Sequence, residues 1–487
     1  MYIRTGLFVL LSLCFAAVGL AQLDTASIVG TVSDASGAVV PGATVSIQNV
    51  GTSATVKLTT DSSGAFAAPS LAVGTYKVTA TATGFKTYVQ DGVRLSVADV
   101  IKVAVQLSPG DVNEQITVLG EVSQIQTASS TLGGVVNTQQ VMDLPVNGRA
   151  LATLLETVPG VSMLGVEPSI GGGGTGRLFE AGARTLLDGT DSGVTDSDFF
   201  GAGYQSRARI DRASIESIAE VRIQSNAFSA EYGQASGGVI NYITKSGTNQ
   251  FHGSLFEYFR NEKLDSRDYF NPAPAPKPAV RLNQFGGSVG GPIKRDKLFF
   301  FFNYEGNRER RGVYLNGVVP TKAFRDTLIP ALQPAVNLLP LPNGPVSAAD
   351  PRLAQYTTAV SNQLTENTFG IKVDYNMTDK DRLAVRFNSN KSDSVSYFGI
   401  GNGQQSIVPY YPKLGKITYT RTISPRLLNE AGIAVDRVFT IFQPASDETV
   451  RKLPSSRMEA VSPTAVPTCS TWWSATCRRP TSTRCPG

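Results

Sequence analysis

The sequence predicts a mainly β protein: an N-terminal β-sandwich, then an α+β region, then the first strands of an incomplete antiparallel transmembrane β-barrel. Three observations support this fold class. Residues 26–108 alternate polar and apolar side chains between closely spaced turns. Glycine is abundant at 47 residues and charged residues make up only 17% of the 487, which suits strands and turns. Beyond residue 250, longer segments alternate apolar and polar residues as membrane strands do.

The N-terminus has the three parts of a secretory signal peptide. Arg4 supplies a positive charge, an uncharged apolar stretch follows, and Gly19 and Ala21 are small residues at positions −3 and −1 of a cut before Gln22. The alternative is a membrane anchor, but the apolar stretch is shorter than the ~20 residues that span a bilayer. Residues 1–21 are therefore predicted to be removed on export.

Residues 22–108 form the predicted sandwich. Five segments in order resemble the carboxypeptidase regulatory-like family, namely 28–34, 40–45, 60–66, 71–76 and 83–85. The resemblance implies a transthyretin-like or starch-binding-like β-sandwich and no peptidase activity. Carbohydrate binding and a purely structural role both stay open, although no paired exposed aromatic residues mark a sugar-binding surface.

Residues 133–250 contain several ordered motifs. A capped helix is predicted over 137–145, a turn over 146–149, and a second helix over 151–158. Together with the segments 185–191 and 231–245, these motifs resemble the plug domain of TonB-dependent outer-membrane transporters. The resemblance assigns structural roles to Leu187, Asp188, Gly189, Tyr232, Gly233, Gly237 and Gly238. The glycines would allow close packing and positive φ angles inside a barrel.

The linker 109–132 joins the predicted sandwich and plug. Its β-prone segment 114–120 resembles the strand by which such transporters pair with TonB, the periplasmic energy transducer. The candidate contact residues are Ile116, Thr117 and Val118. A plain interdomain strand is the alternative.

Residues 251–453 are the predicted partial barrel. Apolar residues occupy one face of three strands, namely Leu298, Phe300, Phe302 and Tyr304; Phe369, Ile371, Val373 and Tyr375; and Leu383, Val385 and Phe387. Residues 290–306 resemble the Oar-like subgroup of these transporters. Residues 319–362 are predicted to form a long outer loop. Seven or eight strands are predicted between 251 and 442, whereas the family implies a barrel of about 22, so we expect a fragment of the family's length.

Catalytic chemistry finds little support. His252 is the single histidine, so neither a histidine metal cluster nor a pair of acid–base histidines can form. The glycine-rich segment 171–178 lacks the Lys followed by Ser or Thr of a phosphate-binding loop. We therefore predict no catalytic residue, no metal, no cofactor and no enzyme activity. The net charge of +5 without a basic run also argues against nucleic acid as a partner.

The last segment, 454–487, changes composition abruptly. Strand alternation ends, and Cys469, Cys477 and Cys485 appear together with both tryptophans. This pattern predicts an unstructured tail translated in a shifted reading frame; a genuine Cys-bearing tail is the alternative, although three cysteines are odd for disulfides. Resequencing the locus would separate the two.

These features predict a cell outer-membrane transporter for an unknown substrate, with carbohydrate and peptide as the candidate classes, inactive as given because its barrel is truncated. Its partners would be TonB, outer-membrane lipid and that substrate. The alternative function is a surface carbohydrate-binding or adhesion protein that acts through the sandwich.

Overall fold

The computed structural model describes most of the chain between residues 25 and 444. The described residues are 25–111, 114–118, 132–144, 149, 154–155, 157–158, 161–164, 167–170, 183–191, 213–226, 232, 238–266, 277–397, 405–424, 427–439 and 443–444. The predicted signal peptide, the segment 171–178 and the predicted tail lie outside these residues, as does half of the second predicted helix, namely residues 151–153 and 156.

The first eight strands belong to the N-terminal part. They are β1 Ala26–Asp34, β2 Thr44–Asn49, β3 Thr55–Thr59, β4 Ala65–Leu71, β5 Gly74–Thr81, β6 Thr87–Leu95, β7 Val100–Leu107 and β8 Gln115–Val118. β4, β1 and β7 form one sheet in that order, and β3, β2, β5, β6 and β8 form the other. A single apolar core, which includes Ile28, Ile47, Val78 and Val105, is buried between the two sheets. The predicted sandwich is confirmed.

The middle part, here called the plug region (residues 132–244), is built on a mixed sheet of its own. Its elements are β9 Leu132–Val136, α1 Thr138–Asp143, β10 Val161–Leu164, β11 Glu167–Ile170, β12 Ala183–Leu187, β13 Thr190–Asp191, a 3₁₀ turn Ile215–Ser217, β14 Ile218–Asn226 and β15 Gly238–Thr244. The sheet order is β13-β12-β15-β14-β9, and β10 pairs only with β11 among the described strands. Asn137 caps α1, as the sequence predicts, and the side chains of Asn137 and Gln140 form a reciprocal capping box.

The third part, here called the barrel sheet, is antiparallel. Its elements are β16 His252–Asn261, β17 Val280–Lys294, β18 Leu298–Pro320, α2 Lys322–Asp326, α3 Gln333–Val336, β19 Leu353–Asn376, β20 Asp381–Tyr397, β21 Gln405–Tyr410, β22 Lys413–Ser424, β23 Leu427–Arg437 and β24 Gln443–Pro444. β16 to β20 pair in chain order. β21 pairs with the second half of β20, and β22 pairs with its first half. β21 and β22 therefore occupy the same neighbouring position in the sheet, one after the other along β20.

The two faces of the barrel sheet differ as the alternation predicts. On β18, Phe302 is 40% exposed, while its neighbours Phe301 and Asn303 are buried. Phe369, Ile371, Val385 and Phe387 continue the exposed apolar face across β19 and β20. Apolar side chains therefore face outward, toward lipid, and the opposite face carries buried polar groups.

The predicted outer loop is shorter in the structure. β18 and β19 pair continuously as far as Pro320 and Leu353, so residues 353–362 are strand and the connection covers 321–352. The sequence prediction of a loop over 319–362 was wrong at both ends. Beyond the membrane neither face of a strand meets lipid, so the polar–apolar alternation that marks strands disappears there. Among the residues that the structure describes, no helix has both the length and the apolar character needed to span a bilayer.

Candidate functional site at the interface of plug region and barrel sheet

A buried carboxylate joins the plug region to the barrel sheet. Asp188 and Gly189 form the two-residue turn between β12 and β13, with φ angles of 45° and 69°. Positive φ at both positions is typical of a tight hairpin turn, and Asp-Gly is a preferred pair there. The Asp188 side chain accepts hydrogen bonds from the backbone N–H of Thr244 at 2.7 Å and from its hydroxyl at 2.5 Å. The turn thereby fixes the carboxylate against β15.

Cations of the barrel sheet surround this carboxylate. The guanidinium of Arg386 on β20 donates to Asp188 Oδ2 at 2.5 Å, and both side chains are about 95% buried. Lys416 on β22 donates to the Asp188 carbonyl oxygen at 2.6 Å. Lys372 on β19 reaches Thr244 at 3.4 Å. Two neighbouring strands of the sheet, β20 and β22, thus contact the plug turn itself, and β19 contacts Thr244 beside it.

The charge state of Asp188 follows from these contacts. Burial by itself would raise the pKa of the Asp188 carboxyl. The charges of Lys372 and Arg386 and the hydrogen bonds from Thr244 outweigh burial and hold that pKa well below its usual range. The carboxylate is therefore ionised at any physiological pH, and the contact remains an ion pair.

A second contact involves the first strand of the barrel sheet. Arg149 of the plug region pairs with the buried Glu216 at 2.7 Å. Its guanidinium lies 4.4 Å from the ring centroid of Phe256 and 5.0 Å from that of Tyr258, both on β16. Glu216 also accepts a hydrogen bond at 2.8 Å from Ser254 on the same strand. The ion pair of Arg149 and Glu216 is thus held against the barrel sheet by aromatic and polar groups of β16.

A third contact is centred on Glu305 of β18. Its carboxylate accepts from the hydroxyl of Ser214, the N-cap of the 3₁₀ turn, at 2.5 Å. It also accepts from the amide of Gln284 on β17 at 2.5 Å. Because Ser214, Gln284 and Glu305 are all buried, this hydrogen bonding is shielded from water and fixes the start of β14 against the sheet.

The sandwich contacts the plug region through strand β14. Arg222 pairs with Asp99 at 2.9 Å and donates to the Val97 carbonyl oxygen at 2.7 Å. Glu220 accepts a hydrogen bond from the Val97 N–H. Burial raises the pKa of Glu220 to about 7, although the hydrogen bonds from Val97 and Ser96 act in the opposite direction. One loop of the sandwich is therefore bound by two buried side chains of the plug region, the Arg222 guanidinium and the Glu220 carboxyl group.

A cavity of about 540 Å³ lies where sandwich, plug region and barrel sheet meet. Its lining includes Asn49, Asp188, Lys372, Arg386 and Lys416. The sandwich also reaches the barrel sheet directly, because the Ser70 hydroxyl donates to Glu430 at 3.2 Å. The Asn249 N–H, just before β16, donates to the Gly51 carbonyl oxygen at 2.8 Å. The three parts therefore form one contiguous assembly around this cavity.

The sandwich and the barrel sheet each match a known domain family. Residues 27–108 match the carboxypeptidase regulatory-like domain family. Residues 243–328 and 325–471 match an outer membrane β-barrel domain family, and the second match extends beyond residue 453, where the sequence analysis ends the barrel. The chain is 30% identical over 320 residues to the TonB-dependent transporter Oar of Myxococcus xanthus; the match covers 62% of this chain and 28% of Oar. The chain is a homologue of TonB-dependent outer-membrane transporters.

Further relatives belong to the same class. A probable TonB-dependent siderophore receptor, PirA of Acinetobacter baumannii, is 26% identical over 189 residues, which are 37% of this chain and 23% of PirA. The crystal structure of that receptor aligns with a TM-score of 0.40 at 16% identity over 65% of this chain and 41% of that one. The Escherichia coli outer membrane transporter YddB aligns with a TM-score of 0.44 at 11% identity over 64% and 40%. The match to Oar spans little more than a quarter of that relative's length.

Of the plug residues predicted to be structural, Asp188 lies at the interface with the barrel sheet, whereas the others that the structure describes make their contacts within the plug region. Leu187 is buried in the plug core with Ile218 and Ile240. Tyr232 packs in a smaller cluster with Leu186 and Val239. The Gly189 N–H donates to the Asn241 side chain at 3.2 Å. Gly238 begins β15 with a φ angle of 153°, whereas Gly233 and Gly237 lie outside the described residues.

The candidate TonB-contact residues Ile116, Thr117 and Val118 lie in β8 and pair with β6 of the sandwich. The sequence predicts a linker here, whereas in the structure this segment is a strand of the sandwich sheet. Its pairing partner is about 30 residues away in the chain, so no local pattern could indicate it.

The sequence did not predict several of the residues that form the interface. Arg149 was assigned only to a turn, and Glu216, Glu220, Arg222, Lys372 and Arg386 were not singled out as contacts. The sequence feature that could have indicated these contacts is a charged residue within an otherwise apolar strand, such as Arg222 within β14. In the part of the chain that the structure describes, no group of three or more His, Cys, Asp or Glu residues could hold a metal ion. The related proteins are transporters and receptors, which are not enzymes.

Proposed function

We propose that this chain supplies the sandwich, the plug and the first barrel strands of an outer-membrane transporter that takes up its substrate with energy delivered by TonB. The observation that carries the proposal is the set of buried charged contacts between the plug region and the barrel sheet. Asp188 with Arg386, and Glu305 with Ser214, fix the plug region against the wall. A plug region fixed in this way would obstruct passage of a substrate through the barrel until work is done to displace it.

The size of that work supports an energised mechanism. Breaking a buried ion pair leaves an uncompensated charge and typically costs about 3–5 kcal/mol. Asp188 and Arg386 are both about 95% buried, so thermal motion alone would rarely separate them. A mechanical partner acting from the periplasm would supply the work of displacing several such contacts together.

The test concerns the proposed TonB contact. Thr117→Pro removes a backbone N–H and disfavours strand pairing, so this chain should lose its capture by the purified periplasmic domain of TonB. Thr117→Ala keeps the N–H and is the matched control, which should be captured like the parent chain. Capture is measured in detergent by surface plasmon resonance. Equal binding by the proline variant would place the TonB contact elsewhere.

A further inference from the structure

Residues 245–251, here called the connector, join the last strand of the plug region, β15, to the first strand of the barrel sheet, β16. The connector packs closely on the barrel sheet, because a Cβ at Gly247 would lie only 2.3 Å from the Phe300 carbonyl oxygen. At its start, the Lys245 N–H donates to the Ser217 carbonyl oxygen of the plug region at 2.7 Å. Any displacement of the plug region relative to the barrel sheet must therefore bend the chain at the connector.

Asn249 anchors the connector to a turn of the barrel sheet. Residues 295–297 form the short turn between β17 and β18, and short turns lie on the periplasmic side of such barrels. The Asp296 N–H donates to Asn249 Oδ1 at 2.8 Å, and the Asn249 amide donates to the Asp296 carboxylate at 2.7 Å. These two hydrogen bonds fix the turn, in which Asp296 has a φ angle of 64°. The end of the barrel sheet that carries this turn is here called the rim.

The sandwich loop between β2 and β3 binds the same asparagine. The Asn249 N–H donates to the Gly51 carbonyl oxygen at 2.8 Å, and its side-chain amide donates to the Ser53 hydroxyl at 3.1 Å. The loop is shaped by the Asn49 side chain, which accepts from the N–H groups of Gly51 and Thr52 at 2.9 and 3.0 Å. It is therefore preorganised for this contact. One residue joins the sandwich, the connector and the rim.

The sandwich is bound at two further points. Its Asp99 pairs with Arg222 of plug strand β14 at 2.9 Å, and both side chains are at least 90% buried. Its Ser70 donates to Glu430, near the start of β23, at 3.2 Å. Three strand positions, β19, β20 and β22, separate β18 from β23, so the two contacts with the barrel sheet are about 20 Å apart at ~4.8 Å per strand. The sandwich thus bridges the barrel sheet and the plug region.

We propose that the sandwich is a latch: it holds the plug region in place and must leave the connector before the plug region can move. This inference rests on the proposed function only in that the plug region is displaced during uptake. While the sandwich is bound at the connector, the pair of Asp99 and Arg222 keeps β14 from moving away from the rim. The alternative is a sandwich that follows the plug region passively and restrains nothing.

A reversible disulfide between the sandwich loop and the connector tests the latch. A Cβ at Gly51 would lie 3.7 Å from the Cβ of Thr248, which is a separation that disulfides adopt. Gly51→Cys and Thr248→Cys are therefore combined in a chain that starts at Gln22. Its remaining cysteines are changed to Ser, namely Cys469, Cys477 and Cys485.

The measurement is hydrogen exchange of backbone amides in detergent, followed by mass spectrometry. Exchange in β14 and β15 should be at least tenfold slower in the oxidised than in the reduced protein, because a locked sandwich cannot release the plug region. Exchange in β18 and β19 should agree within about twofold, which controls for a general stabilisation by the disulfide. Equal exchange of β14 and β15 in the two forms would refute the latch, and failure of the disulfide to form would refute the contact between loop and connector.

A further substitution tests whether the restraint passes through the buried ion pair. With Asp99→Asn added, the ratio between oxidised and reduced exchange in β14 should fall to about twofold or less. A ratio that stays at tenfold would mean that the disulfide protects the plug region by another route, and the latch would be wrong.

Asn249→Ala in the parent chain gives an independent measurement without a disulfide. It removes the side-chain contacts to Asp296 and Ser53, so exchange in β14 should become at least threefold faster. Gln250→Ala, at the exposed neighbouring position, is the matched control and should leave exchange unchanged. Unchanged exchange in Asn249→Ala would also contradict the latch. No step involves TonB, so the proposed function is decided separately by the capture experiment.

Discussion

Single charged residues decide how the plug region is fixed, and their environments separate strong contacts from weak ones. Asp188 and Arg386 are almost fully buried. By contrast, Arg184 pairs with Asp191 in the same hairpin at 3.1 Å, and the Asp191 side chain is 43% exposed. Water screens the second pair, and such pairs contribute about 0–1 kcal/mol. Burial, more than distance, therefore sets which contact matters.

This contrast predicts the result of two matched substitutions. Asp188→Asn keeps the shape of the side chain but leaves Arg386 and Lys372 without their counter-charge, so the free energy of unfolding should fall by about 3–5 kcal/mol. Asp191→Asn should lower it by less than about 1 kcal/mol. Urea unfolding in detergent, followed by circular dichroism, measures both. Equal losses would contradict the argument from burial.

Glu220 gives the interface between sandwich and plug region a pH dependence. Its pKa is raised by burial to about 7 from an ordinary value of 4.5, with Asp99 and Arg222 as the charged neighbours. Because the carboxyl binds its proton more tightly when buried than when free, protonation favours the docked state. Docking should be strongest below about pH 4.5, weaken as the pH rises to about 7, and then level off.

The corresponding test compares Glu220 with its neutral isostere. The parent chain should lose up to about 3 kcal/mol of interface stability between pH 4.5 and pH 8. Glu220→Gln keeps an acceptor for the Val97 N–H but cannot ionise, so this part of the pH dependence should vanish. Limited proteolysis of the released sandwich across that range measures docking. Identical pH profiles for the two proteins would exclude Glu220 as the responsible group.

At the scale of elements, the buried face of the barrel sheet depends on glycines that make room for larger neighbours. Gly370 on β19 lies opposite Asn303 on β18 and Asn388 on β20 in one row across three strands. Both asparagines are buried. A Cβ at Gly370 would lie 2.6 Å from Asn303 Oδ1 and 2.7 Å from Asn388 Nδ2. The glycine thus allows two amide side chains to approach each other across it.

Gly370→Ala should therefore destabilise the sheet by about 1–3 kcal/mol through overpacking. Gly415→Ala on β22 is the matched control, since the nearest atom to its Cβ would be at 3.8 Å, an ordinary contact. Thermal unfolding in detergent should show a lower midpoint for the first variant alone. A normal midpoint for Gly370→Ala would mean that the amides can move aside without loss.

At the scale of the whole molecule, the sandwich is an integral part of the assembly. It contacts β14 of the plug region through Asp99, and the barrel sheet through Ser70 and Gly51. The outward face of the barrel sheet is apolar and its inward face polar, as expected for the outer membrane in which proteins of this class reside. The barrel sheet therefore has one face toward lipid, and its opposite face is covered by the plug region and the sandwich.

The N-terminal segment is predicted to be a signal peptide that is removed on export. We expect cleavage before Gln22, because small residues stand at −3 and −1 of that bond. N-terminal sequencing of the exported chain measures the cut. Recovery of Met1, or of a lipid-modified Cys14, on the exported product would contradict the prediction. Ala21→Arg should block processing and provides a control for specificity of the cut.

The sequence by itself determined the elements whose causes are local. Period-two alternation gave the strands of the sandwich and the outward face of the barrel sheet, since side chains on a strand alternate between two environments. The Asn137 cap also followed from residue chemistry within a few positions, whereas Asp188 and Gly189 were singled out only by the resemblance to the plug domain. These features need no knowledge of which distant segments meet.

Only the tertiary structure decided which charges meet. Asp188 and Arg386 are 198 residues apart in the chain, and Asp99 and Arg222 are 123 apart. Alternation places Arg386 on the inward face of β20, but it cannot indicate which plug turn lies opposite. The same holds for β8, which joins the sandwich sheet through backbone hydrogen bonds that any sequence can make. Side-chain patterns record the environment of a strand, whereas its partner is set by packing of the whole chain.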